Sequence, residues 1–139
     1  MNLYILDTDI LTLFREGQDS VCRHIASLPT EQIMTTVISV EEQLTGWYTL
    51  LRQVKHPSEL AHAYNRLADA IRFVSRLQIL TFPETAILRY QNLKSQKLNI
   101  GKMDLRIAAI VLEHGGILVT RNTRDFKRVP GLVLEDWSQ

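Results

Sequence analysis

The chain has 139 residues, of which 45% are hydrophobic and 22% charged, with a formal net charge of +1. That length buries a substantial core, and the composition excludes disordered, fibrous and collagen-like classes. There is no global positive field to attract nucleic acid, the single cysteine (Cys22) has no internal disulfide partner, and no apolar stretch is long enough to span a bilayer.

Leu3-Tyr4-Ile5-Leu6 is a continuous apolar run, which reads as a strand buried on both faces, and it leads straight into Asp7-Thr8-Asp9. Open α/β sheets bind ligands outside the carboxyl ends of their strands, which is where Asp7 and Asp9 fall. A short helix is predicted over 10–15 and ends at Gly17. A second helix covers 21–28, and a strand covers 32–37. Ser39 and Glu42 form a capping-box pattern at the start of a helix running through Val40, Leu44, Trp47, Tyr48 and Leu51. Pro57 suits the first turn of the next helix, whose apolar face runs from Leu60 to Val74. Two consecutive long helices imply a hairpin inserted between strands.

A third strand is predicted over 77–82, followed by a helix opened by Pro83 and Glu84 and running to Leu93. A Lys-rich loop, 94–102, leads to a helix beginning at Asp104 and closed by Gly115-Gly116. Ile117-Leu118-Val119-Thr120 is a fourth strand, Arg121–Lys127 a polar turn or short helix, and Leu132-Val133-Leu134 a fifth strand. Strands alternating with helices predict an α/β fold, with a mostly parallel sheet of about five strands flanked by helices and one domain over 1–139. The first residues lack the basic-then-apolar pattern of a secretory signal, so a cytoplasmic location is expected.

Asp7, Glu42, Asp104 and Asp125 all follow a strand or open a helix, and in a parallel sheet those positions share one edge. Several carboxylates gathered there stay ionised together only around a cation, and an all-oxygen site favours Mg²⁺ or Mn²⁺. His24, His56, His62 and His114 are scattered and form no zinc pattern. Some of the acids also have a plain structural reading, Asp104 and Asp9 as helix caps and Glu42 as a capping-box partner, whereas Asp7, directly after a buried strand, is harder to explain that way. A basic cluster accompanies the acids, Lys102 and Arg106 near Asp104 and Arg121, Arg124, Lys127 and Arg128 near Asp125. It suits a polyanion, or equally a solvated helix face. Trp47 and Tyr48 read as a partner surface or as core, with at least one expected in the core.

The segments Tyr4-Ile5-Leu6-Asp7-Thr8-Asp9, Ile38-Ser39-Val40-Glu41-Glu42-Gln43-Leu44-Thr45-Gly46, Asp104-Leu105-Arg106-Ile107-Ala108-Ala109 and Leu118-Val119-Thr120-Arg121-Asn122-Thr123-Arg124-Asp125-Phe126 resemble the PIN-domain family. Within it they are similar to VapC-type ribonuclease toxins of bacterial toxin–antitoxin pairs. The resemblance covers nearly the whole chain. It implies a PIN-like three-layer fold and a divalent-metal site, Mg²⁺ or Mn²⁺, built from Asp7, Glu42, Asp104 and a fourth acid. Glu42 is chosen over Glu41 because it stands four residues before Gly46. At the fourth position many relatives carry an acid where this chain has the neutral Asn122, and Asp125 is the nearest carboxylate. Thr8, Asp9, Thr120 and Asn122 are supporting positions.

The activity the resemblance implies is hydrolysis of RNA phosphodiester bonds by metal-activated water, leaving a 5′-phosphate. The implied partners are an RNA substrate, a cognate antitoxin and a second copy of the chain. Two other readings stand beside it. One is an inactive PIN-like binding module, which Asn122 permits. The other is a haloacid-dehalogenase-like phosphatase using Asp7 and Asp9.

Overall fold

The computed structural model describes residues 1–139. The elements in chain order are β1 (Tyr4–Leu6), α1 (Thr8–Arg15), α2 (Asp19–Ala26), a single 3-10 turn (Thr30–Gln32), β2 (Ile33–Thr36), α3 (Val37–Gln53), α4 (Pro57–Val74), β3 (Gln78–Leu80), α5 (Glu84–Ser95), α6 (Lys102–His114), β4 (Ile117–Val119), α7 (Thr123–Phe126) and β5 (Val133–Glu135). The five strands form one sheet in the order β3-β2-β1-β4-β5, and every pairing is parallel. The expected α/β architecture is therefore present, and the sheet is wholly parallel.

The sheet's two faces sort the core into two halves because side chains alternate along a strand. Ile5, Met34 and Leu118 are in register on one face and pack against α3, α5, α6 and α7 through Ile38, Tyr90, Ile107, Ile110 and Phe126. Leu6, Ile33 and Val119 face the other way, onto Ile10 and Leu11 of α1, Val21 of α2 and Trp137. Trp137 is 2% exposed and stacks with His24 at 5.1 Å, so the tail after β5 is part of this second half. No helix is long and apolar enough to cross a membrane.

Two features of the sequence reading change in the structure. Helix α3 starts at Val37, not at Ser39. Thr36, the last residue of β2, caps it by accepting the Ser39 N–H at 3.1 Å, so strand and helix join with no loop and Ser39 lies inside the first turn. Neither Trp47 nor Tyr48 enters the core: Trp47 is half-buried and Tyr48 is 47% exposed. The α3–α4 hairpin lies flank to flank outside the sheet, and that outer surface holds both rings. The expected Pro57 position holds, as the first residue of α4.

A carboxylate edge at the switch point of the sheet

Starting from β1 the chain builds outward to β2 and β3, then returns to add β4 on the other side. The carboxyl ends of β1 and β4 therefore flank the point where strand order reverses, the usual crevice for a ligand in such sheets. Asp7 stands there. Its backbone N–H donates to the Val119 carbonyl at 2.9 Å, continuing the β1–β4 pairing one residue past the strand. Its side chain caps α1, accepting the Thr8 N–H at Oδ1 (2.8 Å), and Thr120, just past β4, donates its hydroxyl to Oδ2 at 2.7 Å. The carboxylate is thus clamped from both strands.

Glu42 enters from the second turn of α3. Thr8 donates its hydroxyl to Glu42 Oε1 at 2.7 Å, and Ser39 Oγ lies 3.0 Å from the same hydroxyl. Gln43 ties the same two helices together, donating to the Thr8 carbonyl (3.2 Å) and to the Thr12 hydroxyl (2.9 Å). Asp104 projects from the first turn of α6. Asp125 lies in α7, where Asn122 donates to Oδ2 at 3.1 Å and Arg128 to Oδ1 at 3.2 Å. The Asn122 backbone N–H donates to Thr120 Oγ1 at 3.0 Å, so the neutral residue joins the Asp7 clamp to Asp125.

Electrostatics bind these acids into one group. Burial pushes the Asp7 carboxyl from its usual 3.8 up to about 7, with the charges of Asp9 and Asp104 adding to the rise and the Thr120 and Thr8 hydrogen bonds opposing it. Burial also lifts Asp104 to about 6, helped by the charges of Glu42, Asp125 and Asp9. Asp9 is raised as well, mainly by burial, against the Ile10 N–H and the Arg121 charge. Its Oδ1 is buried with no hydrogen-bond partner. No three of these side chains close to the spacing of a metal cage. The donors are nonetheless all hard oxygens, mutually repelling, with one oxygen unpartnered, and that chemistry fits a hard divalent cation better than a soft one.

The basic residues divide. Lys102, Arg121, Arg124, Lys127 and Arg128 are exposed, with Arg128 ion-paired to Asp125. Arg106 lies half-buried over the rings of Tyr90 (5.2 Å) and Phe82 (5.9 Å), against α5. The sequence reading did not anticipate the hydroxyls of Ser39 and Thr36 or the Gln43 tie. The signal available for Thr36 is a β-branched hydroxyl residue ending a strand three residues before a serine, which is an N-cap geometry in its own right.

The chain as a whole is similar to known proteins. The PIN domain family model matches residues 4–132. The chain is 37% identical over 139 aligned residues to the tRNA(fMet)-specific endonuclease VapC of Shigella flexneri, covering 97% of this chain and 98% of that protein. It is 38% identical over 71 residues to Ribonuclease VapC2 of Rickettsia felis, where the alignment spans about half of each chain, 48% and 53%. Among solved structures, a DNA-bound VapBC complex from Salmonella typhimurium superposes with a TM-score of 0.78 over 99% of both chains at 24% identity, a likeness of fold.

Proposed function

Since the chain belongs to the PIN-domain family and to its VapC-type branch, we propose that it is a divalent-metal-dependent endoribonuclease, the toxin of a toxin–antitoxin pair. What supports this reading is the mutual charge effect among these acids near the β1–β4 switch point, Asp104 acting on Asp7 and Glu42 on Asp104. The phosphatase reading of Asp7 and Asp9 has no support from the family match.

Asp7, Glu42 and Asp104 would hold the cation, Mg²⁺ or Mn²⁺, with Asp125 as the fourth carboxylate. When bound, that cation neutralises charge developing on the phosphate and makes nearby water more acidic. The chain's own residues do the rest. Thr120 and the Thr8 N–H fix both oxygens of Asp7, so its lone pairs are aimed before substrate arrives. The Thr8 hydroxyl sets Glu42 in the same way, and Asn122 sets Asp125. Asp104 is less buried than Asp7 and sits in the first turn of α6, and one of the carboxylates would orient the attacking water. Water adds to phosphorus in line, the bond to the 3′ oxygen breaks, and the 3′ oxygen takes a proton, leaving a 5′-phosphate. The exposed Lys102, Arg121, Arg124 and Lys127 hold flanking phosphates, with Arg106 and Arg128 at the margins of that surface.

A separately encoded antitoxin that covers the acidic edge, and a second copy of the chain, are the proposed protein partners. The Salmonella protein of similar fold is seen in a DNA-bound VapBC complex. tRNA, named for the Shigella protein, is the first substrate to try. The test is cleavage of bacterial RNA by purified, partner-free protein in Mg²⁺ or Mn²⁺ against excess EDTA, with Asp7→Asn in parallel. Discrete metal-dependent fragments that vanish in the variant are expected. Cleavage that survives the variant refutes the site. A folded wild type that binds no divalent ion by calorimetry replaces the nuclease with an inactive binding module.

A further inference from the structure

Two hollows on the outer surface adjoin along α3. The first reaches Glu42 and is lined by Thr8, Arg15, Glu42, Gly46, Trp47 and Leu50. The second lies between α3 and α4 and shares Trp47 and Leu50, adding Val54, His62 and Arg66 and, at its outer end, Glu59. Together they make one groove running from Glu42 out along the hairpin. At its middle the Trp47 indole carries two guanidinium groups, Arg15 at 5.6 Å and Arg66 at 5.3 Å from the ring centroid.

Neither arginine belongs to an ion pair. The four ion pairs of the molecule are Arg23–Asp19, Arg72–Asp69, Arg89–Glu113 and Arg128–Asp125. The polar contact of Arg15 is to a neutral group, Gln43 Oε1 at 3.2 Å. A guanidinium lying on an aromatic face keeps its N–H edge free, and that planar edge matches phosphate oxygens in pairs. Two cations held on one ring, neither of them ion-paired to the Glu42 or Glu59 that share the groove, suit a polyanion.

We propose that this groove is the path of the RNA strand on the α3 side of the scissile bond, with Arg15 and Arg66 contacting successive stretches of its phosphate backbone and Trp47 fixing where both guanidiniums stand. The proposal rests on the nuclease reading above and adds a second arm to it. A strand crossing the acidic edge meets net negative charge there and has to be held on both sides. The exposed lysines and arginines around α7 serve one side, and Arg15 and Arg66 serve the other. A chain of net charge +1 can grip a polyanion in this way because what matters is the local placement of cations without paired carboxylates, not the overall charge.

The experiment measures binding of a short labelled single-stranded RNA in EDTA, where no cleavage occurs, as a function of salt. Each phosphate contact on a single strand contributes about 0.7 to the slope of log K against log salt. Arg15→Gln and Arg66→Gln are each expected to lower the slope by about 0.7, and the double variant by about 1.4, with affinity falling several-fold at each step. Arg72→Gln, an exposed and ion-paired position on the same hairpin, leaves the slope as in the wild type. Arg15→Lys and Arg66→Lys keep the charge and keep the slope, which separates lost contact from lost fold.

An unchanged slope in the double Gln variant, with the wild type binding RNA in the ordinary salt-dependent way, overturns the groove and leaves the nuclease reading standing. Loss of binding to an acidic peptide with RNA binding intact assigns the groove to a protein and also overturns it. A wild type that neither binds nor cuts RNA removes the nuclease reading, and the groove proposal with it.

Discussion

Replacing Asp7 by Asn is expected to abolish cleavage and, without metal, to stabilise the fold at neutral pH. Asp7 is 6% exposed and its carboxyl is raised from 3.8 to about 7. A carboxyl whose folded pKa is raised binds its proton more tightly in the folded chain than in the unfolded one. Its contribution to stability is complete below about pH 4 and is lost progressively as pH rises toward 7. At about 1.4 kcal/mol per pKa unit, holding this carboxylate ionised costs about 4 kcal/mol above pH 7. At pH 5 the cost is about 2 kcal/mol, and it fades out as pH falls through 4.

Asn carries no proton equilibrium and keeps one oxygen for the Thr8 N–H, so the variant escapes this term. Thermal or urea unfolding in EDTA should find Asp7→Asn more stable than the wild type at pH 8 by about 4 kcal/mol, a margin that closes as pH falls to 4. Rearranging the Thr120 hydrogen bond adds a constant offset of about 1 kcal/mol, so the pH dependence of the difference is the diagnostic quantity. A difference that stays flat from pH 4 to 8 would falsify the account of Asp7 as a desolvated, repelled carboxylate.

Adding Mg²⁺ or Mn²⁺ at pH 8 should raise the melting temperature of the wild type and leave Asp7→Asn nearly unmoved, since binding to the folded state alone stabilises it. Thr8→Val removes the hydroxyl that sets Glu42, and the Mn²⁺ concentration for half-maximal cleavage should rise about 10-fold or more, as for other groups that orient metal ligands. Gly116→Ala puts a Cβ 2.8 Å from Ile5 Cδ1 and 3.1 Å from the Leu3 carbonyl oxygen, and denaturant unfolding should report a loss of about 1–3 kcal/mol. Trp137→Ala empties a site 2% exposed beneath α2 and should cost about 3–5 kcal/mol by the same assay.

Much of the acidic edge was legible in the sequence because a buried parallel strand announces itself twice, by an uninterrupted apolar run and by the polar residue that ends it. Leu3–Leu6 followed by Asp7, and Ile117–Val119 followed by Thr120, are both of this kind, and the structure pairs them directly. The start of α3 was harder to read. Ser39 and Glu42 satisfy a capping box on paper, yet Thr36 caps first because β2 turns into α3 without a loop. Local pattern cannot choose between two hydroxyls three residues apart; the position of the strand end does. Trp47 was misjudged for a related reason. Apolar spacing places it on a helix face, but only the packing of α4 against α3 decides whether that face meets the sheet or meets Arg15 and Arg66. Trp137 carries no periodic neighbours, so its burial against Tyr4 and His24 exists only in the folded tail.

The abrupt joints on the carboxyl edge also decide where the chain tolerates a change of length. One residue, Asp7, separates β1 from α1, and none separates β2 from α3. An inserted residue between Thr36 and Val37 would turn α3 by about 100° about its axis and swing Glu42 off the edge, since a helix turns once every 3.6 residues. The same insertion in the segment between α3 and α4 (54–56) falls at the far end of α3 and is not expected to disturb the carboxylates. A change of length at the far end of the α3–α4 hairpin would alter the reach of that hairpin and leave the two abrupt joints of the acidic edge as they are.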